Sequence, residues 1–181
     1  VGKSNIVQFI FLLVFSSFFS CNTSQDSVEN KKKPNILFIL VDDLACTDLA
    51  VMGSKFYETP NIDGLANKST IFTNGYATCP VCSPSRASLL NGQFTARHGI
   101  TQYDGARTGQ DWKALNRHTK LLPPEFNHHL DHEDVVLPEV LKDNGYATFF
   151  AGKWHLGGAK NKSLPTDHGF DVNQGGYAQG G

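Results

Sequence analysis

The polar and apolar positions of the chain divide it into stretches of different character. At the start, Ile6 to Phe19 is an apolar run broken only by Gln8 and two serines, with Lys3 the only charged side chain before it. The run is short for a membrane span and has the make-up of a signal-peptide hydrophobic region. Residues 22–33, "NTSQDSVENKKK", are almost wholly polar and read as a tether. The pattern of a folded domain follows. Residues 35–41 pass from Asn35 into a continuous apolar run, as expected of a parallel strand covered on both faces, and end in Asp42 and Asp43. "TPNIDGLANKS" (59–69) predicts a short helix capped by Thr59, with Pro60 at its first position. "TIFTNGYA" (70–77) is strand-like, and "SPSRASLLNG" (83–92) predicts a helix that begins near Pro84 and closes on Asn91-Gly92.

Residues 99–134 interrupt this regularity. They are rich in polar residues and histidine, carry Pro123-Pro124, and predict an excursion over the surface rather than core. A helix from Pro138 through Asn144, stopped by Gly145, and a strand in "YATFFAG" (146–152) come next. The closing "GGYAQGG" predicts no element, so the chain is expected to break off within a domain. Strand and helix alternating at these spacings predict an α/β fold, its mainly parallel sheet flanked by helices and incomplete in this chain.

Composition narrows the partners. The chain has 181 residues, 40% hydrophobic and 18% charged, which is globular, and a formal net charge of −1. No global field attracts nucleic acid, and none is expected as a partner. Ser20-Cys21 behind the apolar run resembles a bacterial lipobox, with Phe18 where Leu is usual. Lipidation of Cys21 would then be the only membrane attachment, placing the protein in the periplasm or at the cell surface. An ordinary secretion signal and a signal anchor are the alternatives. Beyond Cys21 the chain has Cys46, Cys79 and Cys82, an odd number for an oxidising compartment.

Three features fall at the carboxyl ends of predicted strands, where open α/β sheets build their sites. Asp42 and Asp43 repel each other unless a cation relieves them, and carboxylate oxygens favour hard ions such as Ca²⁺ or, less well, Mg²⁺. A helix cap with an extra solvated Asp explains them equally. Cys82 lies at a helix N-terminus, where anions are favoured, and Arg86 follows one turn later. A structural disulfide with Cys79 and a redox Cys-x-x-Cys pair remain open for "CPVC". Against the second, Pro84 follows closely; against zinc, there is no second Cys-x-x-Cys. In "GKWHLG" (152–157), an extended backbone points Lys153 and His155 to one side and Trp154 to the other. That pair suits an anionic substrate and a leaving group needing a proton. His118 and "HHLDH", with His128, His129 and His132, read as a solvated loop, with a zinc cluster as the minor alternative.

In their order and spacing, "PNILFILVDDL", "TPNIDGLA", "CSPSRASLLNG" and "GKWHLG" resemble the formylglycine-dependent (type I) sulfatases of the alkaline-phosphatase-like superfamily. The likeness runs from residue 34 to 181, which makes that span the N-terminal portion of a catalytic domain behind a signal peptide (1–21) and tether (22–33). "CSPSR" matches the Cys-x-Pro-Ser-Arg signature read by the formylglycine-generating maturase; Asn91 stands where Thr is common. The resemblance implies that Cys82 becomes formylglycine, whose hydrate is the nucleophile, and that Asp42, Asp43 and the modified Cys82 belong to a Ca²⁺ site. It further implies that Arg86 stabilises the hydrate while Lys153 and His155 contact the sulfate and the leaving oxygen. Cys79 has no matching role. One hydroxyl of the hydrate attacks sulfur; the other then loses its proton and expels sulfate, so no water need attack the enzyme-bound ester.

The implied substrate is a sulfated glycan or aryl sulfate. Relatives are several hundred residues long and carry further metal and sulfate ligands in their second half, so this piece alone is expected to be inactive. The rival activities are a phosphonate monoester hydrolase or phosphodiesterase with the same signature, and a truncated, non-catalytic exported lipoprotein.

Overall fold

A computed structural model describes residues 32–115 and 119–180. The signal-peptide region with Cys21, the tether through residue 31, and His118 lie outside the described residues. The chain divides after Val41. In the first unit, residues 35–41 were expected to form a strand, yet they join no sheet, and Ile36 to Val41 are exposed. An apolar run signals a preference for burial, but a strand exists only through ladder bonds to a neighbour, and no described residue supplies one. The strand expected at 70–77 is absent for the same reason, with Ile71, Phe72 and Tyr76 exposed.

In the second unit, α1 (Pro60–Ala66) begins at the expected proline. Thr59 stands at its N-cap without capping it. Its hydroxyl instead donates to Asp63 and accepts the backbone N–H of Ala50, both at 2.9 Å, tying α1 to the short 3₁₀ turn Ala50–Met52. α2 (Cys82–Asn91) starts two residues earlier than expected. Pro84 sits within its first turn, where no N–H is needed. Gly92 ends it in the left-handed region (φ 68°), accessible to glycine without Cβ strain. Asn91, the departure from the signature, bonds Asp134 through its amide at 3.2 Å and accepts the N–H of Gln93. α3 (Thr95–His98) packs on α2 through His98, whose Nδ1 accepts the Ile100 N–H and whose Nε2 therefore donates to Ser88 Oγ at 3.0 Å.

The later elements are α4 (Leu137–Asp143), β1 (Phe149–Ala151) and β2 (Val172–Gln174). β1 and β2 pair in parallel, Phe150 opposite Asn173. β2 has no counterpart in the sequence reading, because "VNQ" lacks both an apolar run and an alternation. The core gathers Ala87 of α2, Ile100, Leu130, Val136, Trp154 and Leu156, flanked by Leu90, Phe150 and Phe170. Ile100 and Leu130 correct the expectation for 99–134: this segment has few regular elements but feeds core side chains at widely spaced points. Leu130 is pinned by its N–H to the Leu156 carbonyl at 3.0 Å.

Trp154 is the largest buried side chain. Phe150 and Phe170 meet it edge-on, with ring centroids 5.4 and 6.3 Å away, and its indole N–H donates to the Ser163 carbonyl at 2.7 Å. Beneath it lies His168, wholly buried. Ser163 Oγ donates to the Leu156 carbonyl at 2.8 Å and so accepts from His168 Nε2, also at 2.8 Å. His168 Nδ1 is left as a bare, buried lone pair. Protonating it would bury a charge with no acceptor. Burial, then the neighbouring His132 ring stacked 5.0 Å away, push the pKa down to about 4, with Asp167 and Asp131 opposing and His129 reinforcing.

The folded pKa of His168 therefore lies below its unfolded value, and the unfolded chain binds this proton more readily. Stability from keeping His168 neutral is complete above about pH 6.5 and falls as pH drops towards about 4, by up to ~3 kcal/mol. Urea unfolding at several pH values should show this slope, and His168→Gln should flatten it while lowering stability at neutral pH.

Candidate active site

Segments far apart in sequence converge on the first turn of α2. Val81, its N-cap, is extended and offers no side-chain cap, so the first N–H groups of the helix lack intrahelical partners. Ser85 Oγ turns back onto the Val81 carbonyl and lies 3.3 Å from that of Cys79. Cys46, Cys79 and Cys82 are free thiols.

Cys82 Sγ lies 3.2 Å from His155 Nδ1. The other ring nitrogen, Nε2, lies 3.2 Å from the backbone carbonyl of Asp104. A carbonyl only accepts, so Nε2 carries the proton and Nδ1 presents its lone pair to the side chain of residue 82. Asp104 is itself anchored from α2: its N–H donates to Ser83 Oγ at 3.0 Å, and Ser83 is wholly buried. His155 is buried, which lowers its pKa; Lys153 and Arg86 push the same way, against the hydrogen bond and charge of Asp104. The imidazole is thus held neutral, as a proton acceptor must be. Its backbone is left-handed (φ 60°), unusual for a residue other than glycine, and its N–H is tied to the Tyr177 carbonyl at 3.2 Å. Gly180 closes over the ring, where a Cβ would come within 2.5 Å.

The charged half of the site is a triangle. The Asp42 carboxylate pairs with Lys153 Nζ and, at 3.6 Å, with Arg86 Nη2, while Arg86 Nη1 donates to the Lys153 carbonyl at 2.6 Å. The Lys153 hydrogen bond holds the Asp42 pKa below its ordinary value despite partial burial, and the charges of Lys153 and Arg86 add to that. Arg86 Nε is buried with no partner among the described residues, an unused donor beside the site. Asp43 is exposed and left-handed (φ 53°), which aspartate tolerates better than most residues.

Of the candidates for catalysis and metal binding, Asp42, Cys82, Arg86, Lys153 and His155 are brought together by these contacts, and Asp43 adjoins Asp42 in the chain. Lys153 and His155 reach the site while Trp154 goes to the core. Ser83, Asp104 and Tyr103, whose ring lies 6.3 Å from that of His155, were not singled out. Asp104 acts through its backbone, which no side-chain motif can announce. Ser83 occupies the variable place in Cys-x-Pro-Ser-Arg. Among the described residues no group of three or more His, Cys, Asp or Glu is placed to hold a metal ion. Asp42 and Asp43 are hard oxygen donors suited to Ca²⁺, which takes roughly six to eight oxygens, so they fit as one part of such a shell. The histidines of "HHLDH" are used otherwise: His132 stacks on His168, His129 Nδ1 donates to the Leu130 carbonyl at 3.0 Å, and His128 packs on Phe126.

The described helices and small parallel sheet are consistent with an incomplete α/β fold of the alkaline-phosphatase-like class. The Sulfatase family model matches residues 34–178, and the chain belongs to the sulfatase family. It is 40% identical over 138 residues to human N-acetylgalactosamine-6-sulfatase, covering 76% of this chain and 24% of that protein. It is 37% identical over 139 residues to N-acetylgalactosamine-6-O-sulfatase of Bacteroides thetaiotaomicron, with the same coverage of each. Among solved structures, Ps i-CgsB in complex with k-i-k-neocarrahexaose superposes with a TM-score of 0.62 at 32% identity, over 80% of this chain and 29% of that one. The chain spans about a quarter of the length of the curated relatives it matches.

The Ser83–Asp104–His155 relay makes Ser83 a positioning residue. In the full-length protein Ser83→Ala should reduce stability by about 1 kcal/mol. It should also lower kcat more than it changes KM and shift the acidic limb of the pH–rate profile, because the tautomer of His155 is no longer held. A stability loss with unchanged kcat and pH profile would make the bond purely structural.

Proposed function

We propose that the full-length protein hydrolyses a sulfate ester, with residue 82 as the covalent centre after conversion of Cys82 to formylglycine by a maturase. The observation that carries this reading is the His155 Nδ1 lone pair directed at the side chain of residue 82, beside the Arg86–Asp42–Lys153 triangle. Formylglycine at residue 82 would supply a hydrate, one hydroxyl of which attacks sulfur as the S–O bond to the alcohol breaks, while the other then loses its proton, re-forming the aldehyde as sulfate leaves. His155 is placed to take a proton from a hydroxyl of residue 82, the step that drives sulfate off. In this reading Lys153 and His155 also contact the sulfate and the leaving oxygen. Arg86 and Lys153 bring positive charge to the anionic oxygens, and Asp42 holds both side chains in place.

Magnitudes rank these contributions. One preorganised donor to a developing oxyanion is worth roughly 2.7–4 kcal/mol, against about 0.3–1 kcal/mol for an exposed helix N-terminus. Arg86 and Lys153 should therefore outweigh the dipole of α2. Asp42 and Asp43 would hold Ca²⁺ together with residue 82 and ligands from elsewhere in the protein. The ion supplies Lewis-acid stabilisation of negative charge there.

The relatives named for N-acetylgalactosamine sulfate and the structure with a carrageenan oligosaccharide support a sulfated glycan as substrate. The apolar run ending in Ser20-Cys21 supports export and a lipid anchor in the periplasm or at the cell surface, behind a signal peptide (1–21) and tether (22–33).

Mass spectrometry of the Cys82 peptide, from protein made with a maturase, should show formylglycine; unmodified thiol or a Cys79–Cys82 disulfide would overturn the catalytic reading. Full-length Cys82→Ala should lose turnover, and Cys79→Ser should largely keep it. Aryl sulfate should be cleaved in preference to an aryl phosphodiester, the reverse order favouring the phosphonate hydrolase alternative. A chelator should reduce the rate and added Ca²⁺ restore it.

A further inference from the structure

A second feature shares the loop that holds His155. Next to Asp104, a cavity of about 470 Å³ is walled by Tyr103, Trp112 and Phe126, with Gln102 and Thr108 among its polar groups. That volume lies in the range of small-molecule sites, and a few polar groups among aromatic walls is the usual make-up of one. Among the described residues, Arg107 is the only charged side chain lining it. It makes no ion pair or hydrogen bond among the described residues. The Thr108 hydroxyl donates to the Glu125 carboxylate at 2.6 Å. The Trp112 indole N–H donates to Thr119 Oγ1 at 3.1 Å, and that hydroxyl donates to the Leu121 carbonyl at 3.0 Å, which anchors the ring in the wall.

Tyr103 links the cavity to the candidate active site. It lines the cavity and lies 6.3 Å, ring to ring, from His155, and the adjacent Asp104 carbonyl holds the imidazole. A substrate with its sulfate at residue 82 would extend past Tyr103 into this space. Aromatic walls suit the C–H face of a sugar ring, and an unpaired guanidinium suits a carboxylate or sulfate on it.

Building on the sulfatase reading, we infer that the Tyr103–Arg107–Trp112 cavity is a subsite for the sugar next to the one bearing the scissile sulfate. Arg107 selects glycans that carry an anionic group on that neighbouring sugar. The small aryl sulfates, which end at the scissile group, would not reach it.

The test compares full-length, matured wild type with Arg107→Gln and Trp112→Ala. The substrates are 4-nitrophenyl sulfate and a sulfated disaccharide with a carboxylate on its second ring. Arg107→Gln should lower kcat/KM for the disaccharide about ten-fold or more, mainly through KM, and change that for the aryl sulfate less than about two-fold. Trp112→Ala should act in the same direction. Equal losses on both substrates, or none on either, would overturn the subsite. Calorimetry separates this from failure of the sulfatase reading. Cys82→Ala protein should bind the uncleaved disaccharide, and Cys82→Ala/Arg107→Gln should bind it about ten-fold more weakly. Binding that depends on Arg107 without wild-type turnover would sink the hydrolase reading alone. Binding that ignores Arg107 would sink the subsite alone.

Discussion

The burial of Trp154 is the constraint on which the rest of this structure depends. Its indole fills the core against Phe150 and Phe170, and its one polar atom is satisfied by the Ser163 carbonyl. A large aromatic side chain with a bonded N–H has few other places to go, so the backbone through residues 153–155 is fixed. Lys153 and His155 are then carried to the site on either side of it. The left-handed turn at His155 is the strain this arrangement carries; hydrogen bonds from Leu130 and Ser163 to the Leu156 carbonyl, and the close packing of Gly157 on His129 and Ser163, hold it.

Electrostatics and packing divide the work cleanly. On one side of α2, Arg86 and Lys153 share the Asp42 carboxylate and keep it ionised. A cluster with two cations to one carboxylate has an attraction for anions left over, although the formal charge of the chain is only −1. On the other side, burial keeps His155 neutral and a backbone carbonyl selects its tautomer. The cationic groups and the neutral imidazole thus occupy separate environments around a single side chain, that of Cys82.

Helices and their ends were legible in the sequence where the signal is local, although Thr59 does not cap α1 as expected. Pro60 marks the start of α1 and Gly92 the end of α2, because a missing N–H and a missing Cβ act on their own backbone. The expected strands at 35–41 and 70–77 were not realised among the described residues, since pairing depends on a partner that an apolar run cannot name. The surface reading of 99–134 failed for a related reason: Ile100 and Leu130 are isolated apolar residues with no periodicity, and only contact with Trp154 and its neighbours makes them core.

What the sequence alone determined is the family and a set of candidate side chains: Asp42, Asp43, Cys82, Arg86, Lys153 and His155 stand in motifs whose residue types and order are specific. Tertiary structure alone decided how they are used. It paired Asp42 with Arg86 and Lys153, set the His155 lone pair on residue 82 through the carbonyl of Asp104, and opened a cavity behind Tyr103 with one unpaired guanidinium. The physical reason is that side-chain chemistry is written in residue identity. Tautomer, ion-pair partner and cavity arise from long-range contacts and from backbone atoms, which every residue possesses and no motif distinguishes.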